Sequence, residues 1–239
     1  EDPVRMLRAA RFAAKLGFTL HPDTEAPVHK LAYLLDGVPP ARLFDETMKL
    51  LLAGSAAASC NLLARLGLLS HLMPDLVLAV NEAPESAGAR LVQLGLAGTD
   101  ERVRADKSVT PTFLFAVLLW PAILREAGVP NGPLPEDPAV LGTACDTIIS
   151  RQLRRFTMPM HDIIMMQQRF ERRAGRRALR FLEHPRFRAA YDFLLLRAES
   201  GEIDPELAAW WTRLQQLSPE DRIAEVESQP APATGDAAK

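Results

Sequence analysis

The sequence has 239 residues, of which 48% are hydrophobic and 24% are charged. This composition excludes a disordered protein and gives enough apolar material for one large or two smaller buried cores. The formal net charge is only -2, so the total charge does not indicate a nucleic-acid or membrane partner. No apolar run is long enough to span a membrane. The two cysteines, Cys60 and Cys145, lie far apart, which excludes a disulfide framework and favours a reducing, cytoplasmic location.

The periodicity of the sequence predicts an all-α fold. Alternating runs of β-branched and aromatic residues are absent, whereas Ala, Leu, Arg and Glu are abundant. In chain order, the predicted helices are 3–16, 23–35, 40–53, 56–66, 86–97, 111–126, 138–155, 159–172, 174–182, 185–200 and 204–216.

Composition divides the predicted chain into four segments. Residues 127–138 contain four prolines and two glycines, which a helix cannot cross, so we place an internal boundary there. Residues beyond 218 are rich in Pro, Ala and Glu without apolar periodicity, which predicts a disordered tail. The segments are 1–54, 55–137, 138–218 and the tail 219–239.

Charge is concentrated in one part of the third segment. Residues 151–190 contain eleven arginines, no lysine and three acidic residues, a local net charge of +8. The planar guanidinium suits bidentate contacts to phosphate, so we predict RNA as a partner, although a solvated helix face is an equally simple interpretation. The spacing of the interleaved phenylalanines favours core packing over base stacking. The candidate RNA contacts are Arg151, Arg154, Arg155, Arg169, Arg172, Arg173, Arg176, Arg177 and Arg180.

The first predicted helix carries one cationic face. On a helix, Arg5, Arg8, Arg11 and Lys15 fall within an arc of about 120°. Asp2 lies one turn before Arg5, and a carboxylate beside a guanidinium can pair with the amine-and-ring-nitrogen edge that adenine and cytosine share. On spacing alone, a simple surface ion pair between Asp2 and Arg5 is the favoured alternative.

The segment EDPVRMLRAARFAAKLGF resembles the E-D-x-x-R-x-x-R-x-x-R-F element in the neck of class II nucleotidyltransferases. This family comprises tRNA CCA-adding enzymes and bacterial poly(A) polymerases. The resemblance continues through VPPARLFDETMKLLLAG, NLLARLGLLSHLMPDL, VTPTFLFAVLLWP and EHPRFRAAYDFLLLRAES, and the later blocks are more similar to the poly(A) polymerases. It implies that Asp2 and Arg5 read the incoming base and that Arg8 contacts the phosphates or base of the nucleotide.

The resemblance implies a polynucleotide adenylyltransferase that adds AMP from ATP to RNA 3′ ends. The family's metal-binding head, with its G-G-x-x-R-D and D-x-D elements, has no counterpart in this sequence. We therefore expect a head upstream of Glu1 that binds the Mg²⁺ ions, and we expect the isolated chain to be inactive, with no catalytic or metal-ligating residue of its own. Segment 1–54 then corresponds to the neck, 55–137 to the body and 138–218 to an RNA-binding region. The alternatives are the body of a CCA-adding enzyme and a stand-alone helical RNA-binding module.

Overall fold

The computed structural model describes residues 2–152 and 157–229, and this part of the chain is helical without any strand. The all-α prediction is confirmed. The first helices are α1 (Val4–Leu16), α2 (Pro22–Leu31), a 3₁₀ helix (Ala32–Gly37), α3 (Pro40–Leu51), α4 (Ala56–Arg65), α5 (Leu69–Leu72), α6 (Pro74–Val80) and α7 (Ala87–Arg104). The others are α8 (Pro111–Glu126), α9 (Pro138–Gln152), α10 (Thr157–Met165), α11 (Gln167–Phe170), α12 (Arg176–Leu182), α13 (Phe187–Glu199), α14 (Pro205–Gln216) and α15 (Pro219–Ser228).

Local sequence signals set many of these helix ends. Proline occupies the first turn of several helices, where its missing N–H group costs nothing, as at Pro40 and Pro111. Ser86 accepts a hydrogen bond from the N–H of Ala89 and so caps α7. Helix α1 ends at Gly17, which has a φ of 67° and donates its N–H to the carbonyl of Ala13. Glycine adopts this left-handed conformation without a steric penalty.

A large core surrounds α8. This helix is buried on all sides from Leu114 to Leu124, as expected of a helix that is apolar around its whole circumference. Helices α7, α9 and α10 pack directly against it, and α1, α4 and α6 extend the same core. Helices on both sides of the proline-rich segment 127–138 therefore share one core, and the four-part division of the chain stays a prediction.

A second, smaller core begins at Met166. It is rich in aromatic rings, with Phe170, Phe181 and Phe187 packed around the fully buried Trp211. Edge-to-face contacts dominate, such as that between Phe181 and Trp211, whose ring centroids are 5.5 Å apart. This core supports the helices that carry most of the arginine-rich segment.

A buried polar contact joins the two cores. The guanidinium of Arg197 is 2% exposed and donates from Nε to Oε1 of Glu202 over 2.9 Å. The indole N–H of Trp120, in the large core, donates to the same carboxylate at 2.9 Å. Arg197 also donates to the side-chain oxygen of Gln167. The two cores are thus held together by a hydrogen-bonded ion pair as well as by apolar contact.

The prediction of a disordered tail from residue 219 is wrong for residues 219–228, which form α15. Ser218 accepts a hydrogen bond from the N–H of Asp221, and Pro219 occupies the first turn. Val226 is 1% exposed and packs into the second core, with α15 against α12. A single buried valine was too weak a periodic signal to indicate this helix. The rest of the predicted tail, 230–239, lies outside the described residues.

Two further elements differ from the predicted pattern. Helices α5 and α6 were not predicted, because the run LGLLSHLMPDLVLAV is apolar almost throughout and Pro74 interrupts it. The predicted helix 159–172 is divided at Met166 into α10 and α11. Within the described residues, none of the helices combines the length and apolarity that crossing a bilayer requires.

Candidate nucleic-acid interface

Helix α1 presents the cationic face that its sequence predicts. Val4, Leu7, Ala10 and Ala13 are buried in the large core, so the opposite face is turned outward. Arg5, Arg8 and Lys15 are exposed, and Arg11 is half-buried.

Asp2 stands at the beginning of this face and is held by two donors. Its Oδ1 accepts a hydrogen bond from the N–H of Val4 over 3.2 Å. Its Oδ2 accepts one from Nη2 of Arg42, on α3, over 2.5 Å. Partial desolvation by itself raises the pKa of Asp2, but the Val4 bond, Arg42 and the charge of Arg5 outweigh it and leave the pKa lowered. The carboxylate is therefore ionised and can act only as an acceptor at neutral pH.

Arg42 is a member of this group that sequence reasoning missed. It lies 40 residues from Asp2, and spacing along one helix could not reveal a partner on another helix. Glu46, four residues after Arg42 on α3, is not its partner. The structure pairs Glu46 with Lys49, whose Nζ donates to Oε1 over 2.7 Å.

Six arginines form a second cationic surface, which we call the arginine cluster. None of their guanidinium groups forms an ion pair or hydrogen bond with any described residue, and all six residues are exposed except the half-buried Arg173. Arg169 instead lies over the ring of Phe181, with its guanidinium carbon 4.3 Å from the centroid. This arrangement leaves the donors at the guanidinium edges available to an anion. The cluster comprises Arg169, Arg172, Arg173, Arg176, Arg177 and Arg180.

The other arginines of the basic segment differ from the cluster. Arg151 lies within 3.9 Å of Asp75 and 3.7 Å of Glu126. Arg186 pairs with Asp162 and Arg188 with Asp192, at 2.8 and 3.0 Å. The predicted contacts Arg154 and Arg155 lie outside the described residues. Of the predicted RNA contacts, the structure thus brings together those from 169 to 180.

Two clefts flank α12, and the cluster lines both. Arg172, Arg173 and Arg177 line a cleft of about 870 Å³ whose other wall includes Glu202 and Asp204. On the other side of α12, Arg176, Arg177 and Arg180 line a cleft of about 730 Å³ against α15. Five acidic residues line the first cleft and only Glu227 lines the second, so repulsion of a polyanion is weaker along the second cleft.

Neither the phenylalanines described in the basic segment nor the cysteines offer a further chemical group, and Phe156 lies outside the described residues. Phe170, Phe181 and Phe187 are at most 5% exposed, so they are core residues, as their spacing favoured. Burial, and secondarily the charge of Asp100, raises the pKa of Cys60 to about 12. Burial, with Asp146 second, does the same for Cys145. Both thiols are therefore neutral packing groups at physiological pH.

The residues that the structure describes contain no group of three His, Cys, Asp or Glu side chains arranged to hold a metal ion. His161 lies 3.8 Å from Asp146, and Asp162 is bound to Arg186. The described residues therefore do not fit the metal ions of a nucleotidyltransferase.

Two family models match separate parts of the chain. Residues 17–79 match the model described as the probable RNA and SrmB-binding site of polymerase A. Residues 138–239 match the model of the arginine-rich C-terminus of polymerase A. This range includes the arginine cluster.

Curated relatives agree with these models. Poly(A) polymerase I of Escherichia coli O6:H1 is 40% identical over 97% of this chain, and that of Haemophilus influenzae is 39% identical over 96%. The matched region is 52% of each relative, so the chain spans about half the length of the curated relatives it matches. A CCA-adding enzyme of Geobacillus stearothermophilus is 44% identical, but over only 30% of the chain.

Both family models and the curated poly(A) polymerases match parts of this helical chain. The chain is similar over nearly its whole length to bacterial poly(A) polymerases and corresponds to the C-terminal half of these relatives.

Proposed function

We propose that this chain is the nucleotide-selecting and RNA-binding portion of a polynucleotide adenylyltransferase, which adds AMP from ATP to RNA 3′ ends in the bacterial cytoplasm. The arginine cluster carries the proposal. Six guanidinium groups that have no carboxylate partner among the described residues form a surface whose charge a polyanion would neutralise. The match of residues 138–239 to the arginine-rich C-terminus of polymerase A supports the same role.

Base selection is assigned to the group around Asp2. An ionised Asp2 accepts from the exocyclic amine of adenine, Arg5 donates to the neighbouring ring nitrogen, and Arg8 contacts the nucleotide phosphates. Arg42 holds the Asp2 carboxylate in place through its bond to Oδ2. In this proposal, a separate catalytic head supplies the metal ions for phosphoryl transfer, and the chain by itself is inactive.

A CCA-adding enzyme is the second candidate, because the edge that Asp2 and Arg5 would read is shared by adenine and cytosine. The extent of similarity favours poly(A) addition, since poly(A) polymerases match 97% of the chain and the CCA-adding enzyme 30%. Joined to a catalytic head, the chain should support long extension with ATP alone. Two CTP additions followed by one ATP would instead make it a CCA-adding enzyme.

The RNA-binding role is tested by titrating the full chain with a fluorescent oligoadenylate at several salt concentrations. The logarithm of affinity should fall steeply with the logarithm of salt, by about 0.7 for each phosphate contact. Arg176→Gln should weaken binding and reduce that slope by about 0.7. The control Arg188→Gln removes an arginine that already pairs with Asp192, and it should leave the slope unchanged. A flat salt dependence of the unsubstituted chain would overturn the proposal.

The base-reading role requires the chain joined to a catalytic head. Arg5→Ala should reduce discrimination among the four nucleotides more than it reduces RNA affinity. Equal discrimination by the variant and the unsubstituted enzyme would remove Asp2 and Arg5 from base selection.

A further inference from the structure

A groove between α1 and α3 remains outside the roles described so far. It has a volume of about 410 Å³, and its lining comes from the last turns of both helices. No lining residue among those described is acidic. The lining consists of Arg11, Phe12, Lys15, Met48, Lys49, Leu52 and Ala53.

The cations of this groove are largely uncompensated. The side chains of Arg11 and Lys15 form no ion pair or hydrogen bond with any described residue. The Nε of Arg11 is buried without a hydrogen-bond partner among the described residues, whereas its terminal nitrogens are not buried. Lys49 pairs with Glu46, with Nζ 2.7 Å from Oε1. A phosphate group would supply an acceptor to the terminal nitrogens of Arg11 and an opposite charge to Lys15.

An aromatic ring lies beside these cations in solvent. Phe12 is 51% exposed, whereas five of the nine phenylalanines in the described part of the chain are buried. The guanidinium carbon of Arg11 is 5.0 Å from the centroid of the Phe12 ring. An exposed ring next to a cationic groove is the arrangement with which proteins bind single-stranded nucleic acid, because the base stacks on the ring while the cations contact the backbone.

The groove lies on the helix that carries the base-reading residues. With a rise of 1.5 Å per residue, Arg11 is about 9 Å further along α1 than Arg5, and Lys15 about 15 Å. A strand whose end lies near Arg5 could therefore continue along the same helix into the groove. The arginine cluster, by contrast, belongs to helices of the other core.

We infer that the α1–α3 groove is a second RNA contact, which binds one nucleotide of a single-stranded RNA by stacking its base on Phe12 and holding its phosphate with Arg11 and Lys15. The inference deepens the proposed RNA-binding function and rests on it. It adds base stacking to RNA contacts that otherwise depend only on charge.

Affinity for a fluorescent oligoadenylate of about ten nucleotides tests the inference with the full chain. Phe12→Ala should weaken binding at least fivefold, because stacking on one aromatic ring contributes substantially to single-strand affinity. Phe12→Trp should retain the affinity of the unsubstituted chain, whereas Phe12→Leu, which is apolar without a π-face, should behave like Phe12→Ala. The matched control is Tyr33→Ala, which removes another exposed aromatic ring, 60% exposed and outside the groove.

The charges of the groove are tested in the same assay. Lys15→Gln should reduce the salt slope by about 0.7, as expected for the loss of one phosphate contact. Circular dichroism of each variant separates loss of binding from loss of folding. Phe12→Leu preserves apolar packing, and it keeps the test valid if Phe12→Ala is unstable.

Each outcome bears on a separate proposal. Loss of affinity in Phe12→Ala and Phe12→Leu, with rescue by Phe12→Trp, supports the groove as an RNA contact. Unchanged affinity in these folded variants, while Arg176→Gln still weakens binding, overturns the groove and leaves the arginine cluster standing; the exposed ring would then serve a protein partner. Absence of RNA binding by the unsubstituted chain overturns both proposals.

Discussion

Some side chains complete the hydrogen bonding of a helix from which they are distant in sequence. Ser55 precedes α4 and is of a type that caps helices, yet its hydroxyl makes no hydrogen bond. The carboxylate of Asp100, on α7, caps α4 instead. It accepts from the N–H of Ala56 over 2.5 Å and from that of Ala57 over 3.2 Å.

This cap makes Asp100 important for stability. Asp100→Ala should lower the free energy of unfolding by about 2 kcal/mol, because the buried N–H of Ala56 and the partly buried N–H of Ala57 lose their acceptor. Ser55→Ala removes the residue at the N-cap position, whose hydroxyl makes no hydrogen bond, and it should change the stability by less than about 0.5 kcal/mol. Urea denaturation of both variants measures the difference. Equal effects would show that Asp100 does not cap α4.

The contact between Asp2 and Arg42 is a second example at this scale. Because the folded-state pKa of Asp2 is lowered, the contact stabilises the fold at pH values above the unfolded-state pKa and is lost as the pH falls through the folded-state pKa. Arg42→Ala should raise the pKa of Asp2 toward its ordinary value, as read from the carboxyl carbon in an NMR titration. Arg65→Ala, which removes the partner of Glu25 at 3.2 Å, is the matched control and should leave Asp2 unchanged. An unaltered titration in Arg42→Ala would contradict the contact.

At the scale of elements, α7 and α8 pack closely against each other at Gly95. Gly95 lies where a Cβ atom would be only 2.6 Å from Cγ1 of Val117. At Gly98, one turn later on α7, an added Cβ atom would lie in open space. Close packing therefore requires glycine at position 95 but not at position 98, although both residues lie on α7.

Substituting each glycine by alanine distinguishes them. Gly95→Ala should destabilise the protein by about 1–3 kcal/mol, because the methyl group forces α7 and α8 apart. Gly98→Ala should stabilise it by about 0.5–1 kcal/mol, since alanine reduces the freedom of the unfolded chain and fits a helix. Thermal denaturation of each variant gives the sign of its change in stability. A stable Gly95→Ala variant would mean that α7 and α8 are less closely packed.

The limits of sequence reasoning are visible in the same elements. Proline and glycine fixed the ends of α1, α3 and α8, because their backbone preferences act locally. The helix α15 depends on one buried valine and a cap, which are too few signals to outweigh a polar composition. At the candidate site, the sequence identified Asp2 and the basic segment. It could not find Arg42 or the partners of Arg151 and Arg186, because these contacts join separate parts of the chain, whereas Arg188 and Asp192 are four residues apart on α13.

At the scale of the whole molecule, we expect the two cores to unfold together only while the buried contact that joins them is intact. Arg197 and Glu202 are 2% and 14% exposed, and Trp120 of the large core binds the same carboxylate. A buried charge that loses its partner is far more costly than an exposed one.

Removing Arg197 should therefore be costly. Arg197→Ala should lower the free energy of unfolding by about 3–5 kcal/mol, because Glu202 is left without its counter-ion. Arg188→Ala breaks the exposed pair with Asp192 and should cost no more than about 0.5 kcal/mol. Urea denaturation followed by tryptophan fluorescence measures both. Similar losses in the two variants would contradict the role given to the junction.

Helix α13 belongs to both cores, and this restricts how such a chain can change in length during evolution. Phe193 packs in the large core and its neighbour Leu194 in the second. One inserted or deleted residue would turn the rest of the helix by about 100° and carry both side chains away from their partners. We expect insertions and deletions among relatives to avoid α13 and to accumulate in the loop between α8 and α9, where no helix must keep its register.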